Sequence, residues 1–311
     1  MEINIKNLEK FLQTDILSTK VKKLEKITRG GTSLNFICQT DKNKYLIKAI
    51  KKEQLNRAVR LCDILNELKK HPSIYTAHLK TFNKKCIFEF EDWLILLIEY
   101  IDGKKLSHHQ LTPKLIDKIN DSYKHIANLK LDNLFQKHLE NIYLENKDIL
   151  SNLLSGNKNY IKCKILNSIH ALNEKLSTKF VIKRNPQVIH GDASLNNLLK
   201  DSNQQVALLD FELIRTGYPV EDWAEFFISS LYQHQIFFFS TTKLKKLILH
   251  CNNIFSFTST DWNYGINLYF LNLINKRLKS QKIFKSIRKD LLFCLNNRKY
   301  EVISDLIKSI F

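Results

Sequence analysis

Glycine and proline are scarce in this chain, with seven and four among 311 residues. So few breakers exclude a collagen-like, Pro-rich or Gly/Ser-linked architecture, and no internal repeat is present. A chain this sparing of glycine places it where the backbone needs positive φ or close approach. Gly30, Gly31, Gly103, Gly191 and Gly217 all fall at breaks between apparent elements. The cysteines, Cys38, Cys62, Cys86, Cys163, Cys251 and Cys294, never form a C-x-x-C pair. That spacing sets aside a metal site or a disulfide framework and reads as buried free thiols in a reducing compartment. Long apolar runs are missing too. The longest, Trp93 to Ile98 and resumed at Tyr100 and Ile101, is far too short to span a bilayer. Met1 to Lys10 is charged where a signal peptide would be apolar. The expected location is the cytoplasm.

Acidic residues are in short supply, 31 against 49 Lys and Arg, for a formal charge of +18. A basic chain raises the question of a nucleic-acid or membrane partner. Here Lys greatly outnumbers Arg and the charge is spread along the chain. Specific readers of phosphate and base edges lean on Arg forks. The charge is therefore read as compositional bias on a solvated surface, and a small molecule is the expected partner. With 44% hydrophobic residues, the chain is globular and long enough for two lobes.

What is present falls into two regimes. Leu24 to Arg29, Leu34 to Thr40 and Tyr45 to Ile50 are short apolar or β-branched runs separated by turn residues, which predicts strands. A helical face follows in Ala58, Leu61, Cys62, Leu65 and Leu68, ending before Pro72. Lys85 to Phe90 and Trp93 to Tyr100 predict two more strands, and Ile101-Asp102-Gly103 breaks the pattern. Helical periodicity then runs from Pro113 to about Leu176. A strand-and-loop island spans Val188 to Phe211, and helices return from about Glu221. The fold class is α+β: a small antiparallel-sheet lobe over 1–101, then a larger, mostly helical lobe over 102–311.

The island carries the chemistry. Val188-Ile189-His190-Gly191-Asp192 is an apolar run ending in a carboxylate, and Asn197 follows five positions later. A second apolar run, Val206 to Leu209, ends in Asp210-Phe211-Glu212. Alone, an Asp after Gly is an ordinary turn residue. Together, these groups match what phosphoryl transfer needs. One carboxylate accepts a hydroxyl proton, while an amide oxygen and a second carboxylate supply the hard ligands magnesium prefers. Protein groups in such sites contribute mostly position.

His190-Gly191-Asp192 through Asn197, followed by Asp210-Phe211-Glu212, resembles the aminoglycoside phosphotransferase and choline kinase superfamily. These are protein-kinase-like small-molecule kinases that use ATP and Mg2+. The resemblance implies a two-lobe, protein-kinase-like fold, Asp192 as catalytic base, and Asn197 and Asp210 as metal ligands. It also implies that the hairpin around Gly30, Gly31, Thr32 and Ser33 covers the nucleotide phosphates. Lys48, in the apolar strand Tyr45 to Ile50, would pair with the α- and β-phosphates. Backbone groups of Glu99 and Ile101 would meet adenine. Asp63 is the acidic partner of Lys48 chosen by spacing, with Glu67 and Glu53 as alternatives.

A protein substrate does not fit. Protein kinases read H-R-D with a Lys two positions later, where this chain has Gly191 and Ser194. They also carry a long activation segment, whereas Gly217-Tyr218-Pro219 follows Glu212 almost at once, and Glu221-Asp222-Trp223 opens a helix. In the resembled family an Asp near this helix start steadies the catalytic loop, and Asp222 matches it. Glu212, Asp222 and Trp223 are the substrate-side candidates. The aromatic and acidic residues after Glu221 suggest choline, ethanolamine or a thiamine-like amino alcohol, with a sugar as another acceptor. The basic stretch from Asp261 to Phe311 speaks against an aminoglycoside, which wants an acidic cleft. An aminoglycoside phosphotransferase nevertheless stays as one alternative, and a catalytically inactive nucleotide-binding scaffold of the same fold is the other.

Overall fold

The computed structural model describes residues 2–27, 33–129, 185–233 and 241–279. The chain divides into two compact units, Met1–Lys105 with Leu198–Glu212, and Leu106–Asn197 with Leu213–Phe311.

The first unit is built on a five-stranded antiparallel sheet. Its strands are β1 (Val21–Ile27), β2 (Leu34–Thr40), β3 (Lys44–Lys51), β4 (Phe88–Phe90) and β5 (Trp93–Glu99), ordered β1-β2-β3-β5-β4. Side chains alternate between faces with period two. Tyr45, Ile47 and Ala49 of β3, with Trp93, Ile95 and Leu97 of β5, join one core. That core also takes Leu8, Leu12 and Ile16 from helix α1 (Ile5–Phe11) and the π turn Leu12–Leu17 that continues it. Asn4 caps α1, its side chain accepting from Lys6 N at 3.0 Å. This element was not expected in the charged N-terminal stretch. By alternation Leu46, Lys48 and Ile50 point to the other face. Helix α2 (Leu55–Lys69) packs on β3 and β5 through Ala58, Leu61, Cys62, Ile64, Leu65 and Leu68.

A second, three-stranded sheet completes this unit: β6 (Gly103–Lys105), β8 (Leu198–Asp201) and β9 (Val206–Leu208), ordered β6-β8-β9. It is tied to the segment after α2, where Thr76 Oγ1 donates to Leu208 O at 2.8 Å and Leu208 N donates to Tyr75 O at 2.9 Å. Residues more than a hundred positions apart are thus bonded into one body.

The second unit is mainly helical. Thr112 caps α3 (Pro113–Ala127), with Pro at the first turn. Strands β7 (Gln187–Ile189) and β10 (Arg215–Gly217) pair antiparallel. Helices α4 (Pro219–Gln233), α5 (Thr241–Phe255) and α6 (Ser259–Lys279) follow. Trp223 and Trp262 are among the largest fully buried side chains, and Trp223 meets Tyr123, Phe226 and Phe227 at ring-centroid distances of 5.4, 5.4 and 5.7 Å. Among the described residues, no helix is long and apolar enough to cross a membrane. The described thiols Cys38, Cys62, Cys86 and Cys251 are all unbridged, and burial pushes the Cys38 thiol up to about 11.

Candidate active site

In the first unit, Lys48 sits mid-strand on β3, in register with Asn35 of β2 and Leu96 of β5. Only 9% of its side chain is exposed. An ammonium so enclosed needs opposite charge nearby. Asp210 Oδ1 lies 3.1 Å away, and Glu212 forms a second ion pair with the same nitrogen. Asp210 has φ 63°, a left-handed conformation that Asp tolerates better than most side chains. The turn Phe211–Leu213 follows, anchored by Phe211, which is 1% exposed.

Asp63 is not the partner of Lys48. The buried stripe of α2 runs through Ala58, Leu61, Cys62 and Leu65, so Asp63 projects from another face and is exposed. The alternatives fare no better, since Glu53 is exposed and Glu67 pairs with Lys70 and His71. Glu212, expected on the substrate side, is instead held between two cations. Arg57 of α2 reaches its other carboxylate oxygen, with Nε 3.0 Å from Oε2. Ser33, just before β2, is buried. Gly30, Gly31 and Thr32 lie outside the described residues. At the end of β5, Glu99 N donates to His78 O at 2.8 Å and Ile101 is buried.

In the second unit, the loop after β7 is fixed from both sides. His190 is 1% exposed, and Asp222 on α4 is 4% exposed. The Asp222 carboxylate accepts from His190 N at 2.7 Å and from Gly191 N at 2.8 Å. Burial pushes the Asp222 carboxyl up, and His190 with the two backbone N–H groups offsets this only in part. Gly191 has φ 76°, and a Cβ there would lie 2.1 Å from Leu213 O. No other residue fits this conformation without moving the backbone. Asp192, next in the loop, receives a hydrogen bond from Asn197 Nδ2 at 2.9 Å on Oδ2 and another at 2.8 Å on its main-chain oxygen. The five-residue spacing of the motif closes this contact across a short 3₁₀ turn, Leu195–Asn197.

Asp222 and Trp223 are therefore not surfaces for a substrate. Both oxygens of Asp222 are engaged by backbone, and Trp223 is fully enclosed by aromatic neighbours. Phe226, Phe227 and Trp262 are buried as well, which removes most of the aromatic cage expected for an ammonium. Two ion pairs, one in each unit, went unpredicted. Arg215 Nη2 pairs with Glu221 at 2.7 Å under near-complete burial of Glu221. The Arg57 contact to Glu212 joins residues 155 positions apart. Neither pair leaves a local pattern that spacing could reveal.

The donor chemistry suits a hard divalent cation. The amide nitrogen of Asn197 is committed to Asp192, which leaves its Oδ1 as the acceptor. The Asp210 side chain is 45% exposed, so its carboxylate is reachable from solvent. Among the described residues, no group of three or more His, Cys, Asp or Glu side chains forms a ready-made metal cage. Magnesium seldom uses one; it takes one or two protein oxygens and completes its shell with phosphate and water.

A backbone-pinned His-Gly-Asp loop, an amide bonded to that Asp, and a buried strand lysine paired with a second Asp define a protein-kinase-like phosphotransferase. The phosphotransferase enzyme family model matches residues 23–235, and the chain belongs to that family of small-molecule kinases. No curated protein matches the sequence. Among solved structures, an amicoumacin kinase in complex with AMP-PNP, Ca2+ and Ami superposes with TM-score 0.69 at 12% identity, over 93% of this chain and 90% of that one. Spectinomycin phosphotransferase with ADP and spectinomycin gives 0.65 at 12% identity, over 100% and 95%. An aminoglycoside phosphotransferase from Alicyclobacillus acidocaldarius gives 0.63 at 14% identity, over 93% and 90%. At these identities the likeness is one of fold.

Proposed function

We propose that this protein transfers the γ-phosphate of ATP to a hydroxyl group of a small amino alcohol or sugar, with magnesium. Asp192 accepts the hydroxyl proton and aims the oxygen. Lys48 holds the α- and β-phosphates, and Glu99 and Ile101 offer backbone groups to adenine. Asp210 and the amide oxygen of Asn197 are the residues that would hold magnesium, which when bound neutralises charge on the phosphates. The hairpin of Gly30, Gly31, Thr32 and Ser33 covers the phosphates. The nucleotide-binding lobe is 1–101, and 102–311 carries the base and the acceptor pocket. Cytoplasmic placement belongs to the same reading.

The observation that carries this reading is the double hydrogen bond from Asn197 to Asp192. It orients a carboxylate at the end of a pinned loop, as a general base requires. A second acceptor class, an aminoglycoside or related antibiotic, is favoured by relatives solved with spectinomycin and with streptomycin. The burial of Trp223, Phe226, Phe227 and Trp262 also lessens the case for an aromatic cage around choline.

The test is ADP release with magnesium and ATP against choline, ethanolamine, thiamine, hexoses, amino sugars and aminoglycosides. One acceptor should raise turnover well above the water background. Asp192→Ala should lower that rate by about 10²–10⁴-fold, and chelation of the divalent ion should abolish it. Turnover unchanged by Asp192→Ala would sink the assignment, and nucleotide binding without transfer to any acceptor would favour the inactive scaffold.

A further inference from the structure

Lys48 is enclosed at the centre of a sheet, yet helix α2 gives it no acid. The inward residues of α2 are Ala58, Leu61, Cys62, Ile64, Leu65 and Leu68, none of which carries charge. What α2 does supply is a cation. Arg57, in its first turn, grips Glu212 through Nε and Nη2, while its Nη1 donates to Gln54 Oε1 at 2.7 Å. Glu212 in turn meets Lys48 with its remaining oxygen. The side chain of Glu212 is 13% exposed and that of Arg57 25%. The order is therefore Arg57, Glu212, Lys48, Asp210, with charges alternating along the chain of contacts.

We propose that Arg57 is a positioning residue for Lys48 and acts through Glu212. Helix α2 is thus linked to Lys48 through a cation, with a carboxylate from the D-F-E segment interposed. The division of oxygens explains how it works. The guanidinium fork engages Oε2, so Oε1 faces the Lys48 ammonium in a fixed direction. A flat cation with two donors converging on one oxygen does this better than a mobile ammonium. Remove Arg57 and Glu212 loses the group that sets its rotamer. Glu212 is then free to swing both oxygens onto Lys48, and the ammonium loses its fixed position between Glu212 and Asp210. With all four groups present, two positive and two negative charges cancel, so nucleotide phosphates and their metal enter a balanced site.

This inference rests on the ATP-dependent reading above, and its test separates the two. MgATP affinity is measured by displacement of a fluorescent nucleotide, which needs no acceptor. Wild type, Arg57→Ala, Arg57→Lys, Glu212→Gln and the Arg57→Ala/Glu212→Gln double variant are compared, with thermal unfolding recorded for each. Arg57→Ala should weaken MgATP binding about tenfold or more, and Arg57→Lys should restore only part of it. In the Glu212→Gln background, Arg57→Ala should add nothing, because the two act as one unit. Equal losses in both backgrounds would overturn the proposal. So would a lower melting temperature with MgATP affinity untouched, which is the signature of a merely structural contact. A wild type that binds no MgATP would remove the kinase reading itself, and this inference with it.

Discussion

Gly191 and Asp222 show how much of the candidate site rests on single atoms. At Gly191 a methyl group would meet a backbone oxygen at 2.1 Å in a backbone conformation with φ 76°. Gly191→Ala should destabilise the protein by at least about 2 kcal/mol, from the left-handed penalty plus the displaced carbonyl, as read by urea unfolding. Asp222→Asn keeps the shape but presents an NH2 to one of two backbone donors. It should cost about 1–3 kcal/mol. Burial raises the folded-state pKa of Asp222 above its unfolded value. Its contribution to stability is therefore whole below the unfolded pKa and is lost as pH rises through the folded one. Asn does not titrate, so the stability gap between wild type and Asp222→Asn should narrow as pH climbs through the carboxylate range. A widening gap, measured by unfolding at several pH values, would contradict the direction of the shift. The contact of Asn197 with Asp192 was foreshadowed in the sequence because the two lie only five positions apart. The charge chain through Arg57 and Glu212 was not, because its members meet only after folding brings residues 155 apart together.

Secondary structure was legible wherever periodicity was strong and failed where charge masked it. Helix α2 was readable from its apolar stripe, and its buried face is the one expected, with Ile64 added. The same stripe explains why Asp63 was misplaced. Spacing along the chain brought it near Lys48, but its helical phase turned it to solvent. Leu61→Ala should cost about 2–5 kcal/mol by leaving a cavity, while Asp63→Ala should stay within about 0.5 kcal/mol. Paired unfolding curves of the two variants check this. Asp63→Ala should also leave MgATP affinity unchanged. Helix α1 and its π turn went unpredicted although Leu8, Leu12 and Ile16 recur every four residues, because charged residues of the first ten positions mask the stripe. Strand β4 is shorter than the run Lys85 to Phe90 predicts, because Phe82 and Lys85 close a tight turn through mutual backbone hydrogen bonds.

At the scale of the whole molecule, the two-regime layout was visible in the alternation of strand and helix patterns. The unit composition was not, because β6 pairs with β8 across the intervening segment Leu106–Asn197. A fragment covering residues 1–105 lacks β8, β9 and both carboxylates that neutralise Lys48. It should be largely unfolded by circular dichroism and amide exchange. Joining residues 198–212 to it through a flexible linker should recover protection in β3 and β5. Synthesis gives the same arrangement a direction in time. Strands β1 to β5 leave the ribosome long before Asp210 and Glu212 have been made, so Lys48 waits without the two carboxylates that neutralise it. A chain halted anywhere before Leu198 leaves β6 without its partner β8 and Lys48 without either carboxylate, the kind of incomplete surface that chaperones and proteases engage. The same pair of carboxylates that serves the lysine in the finished protein thus reports that translation has passed the D-F-E segment.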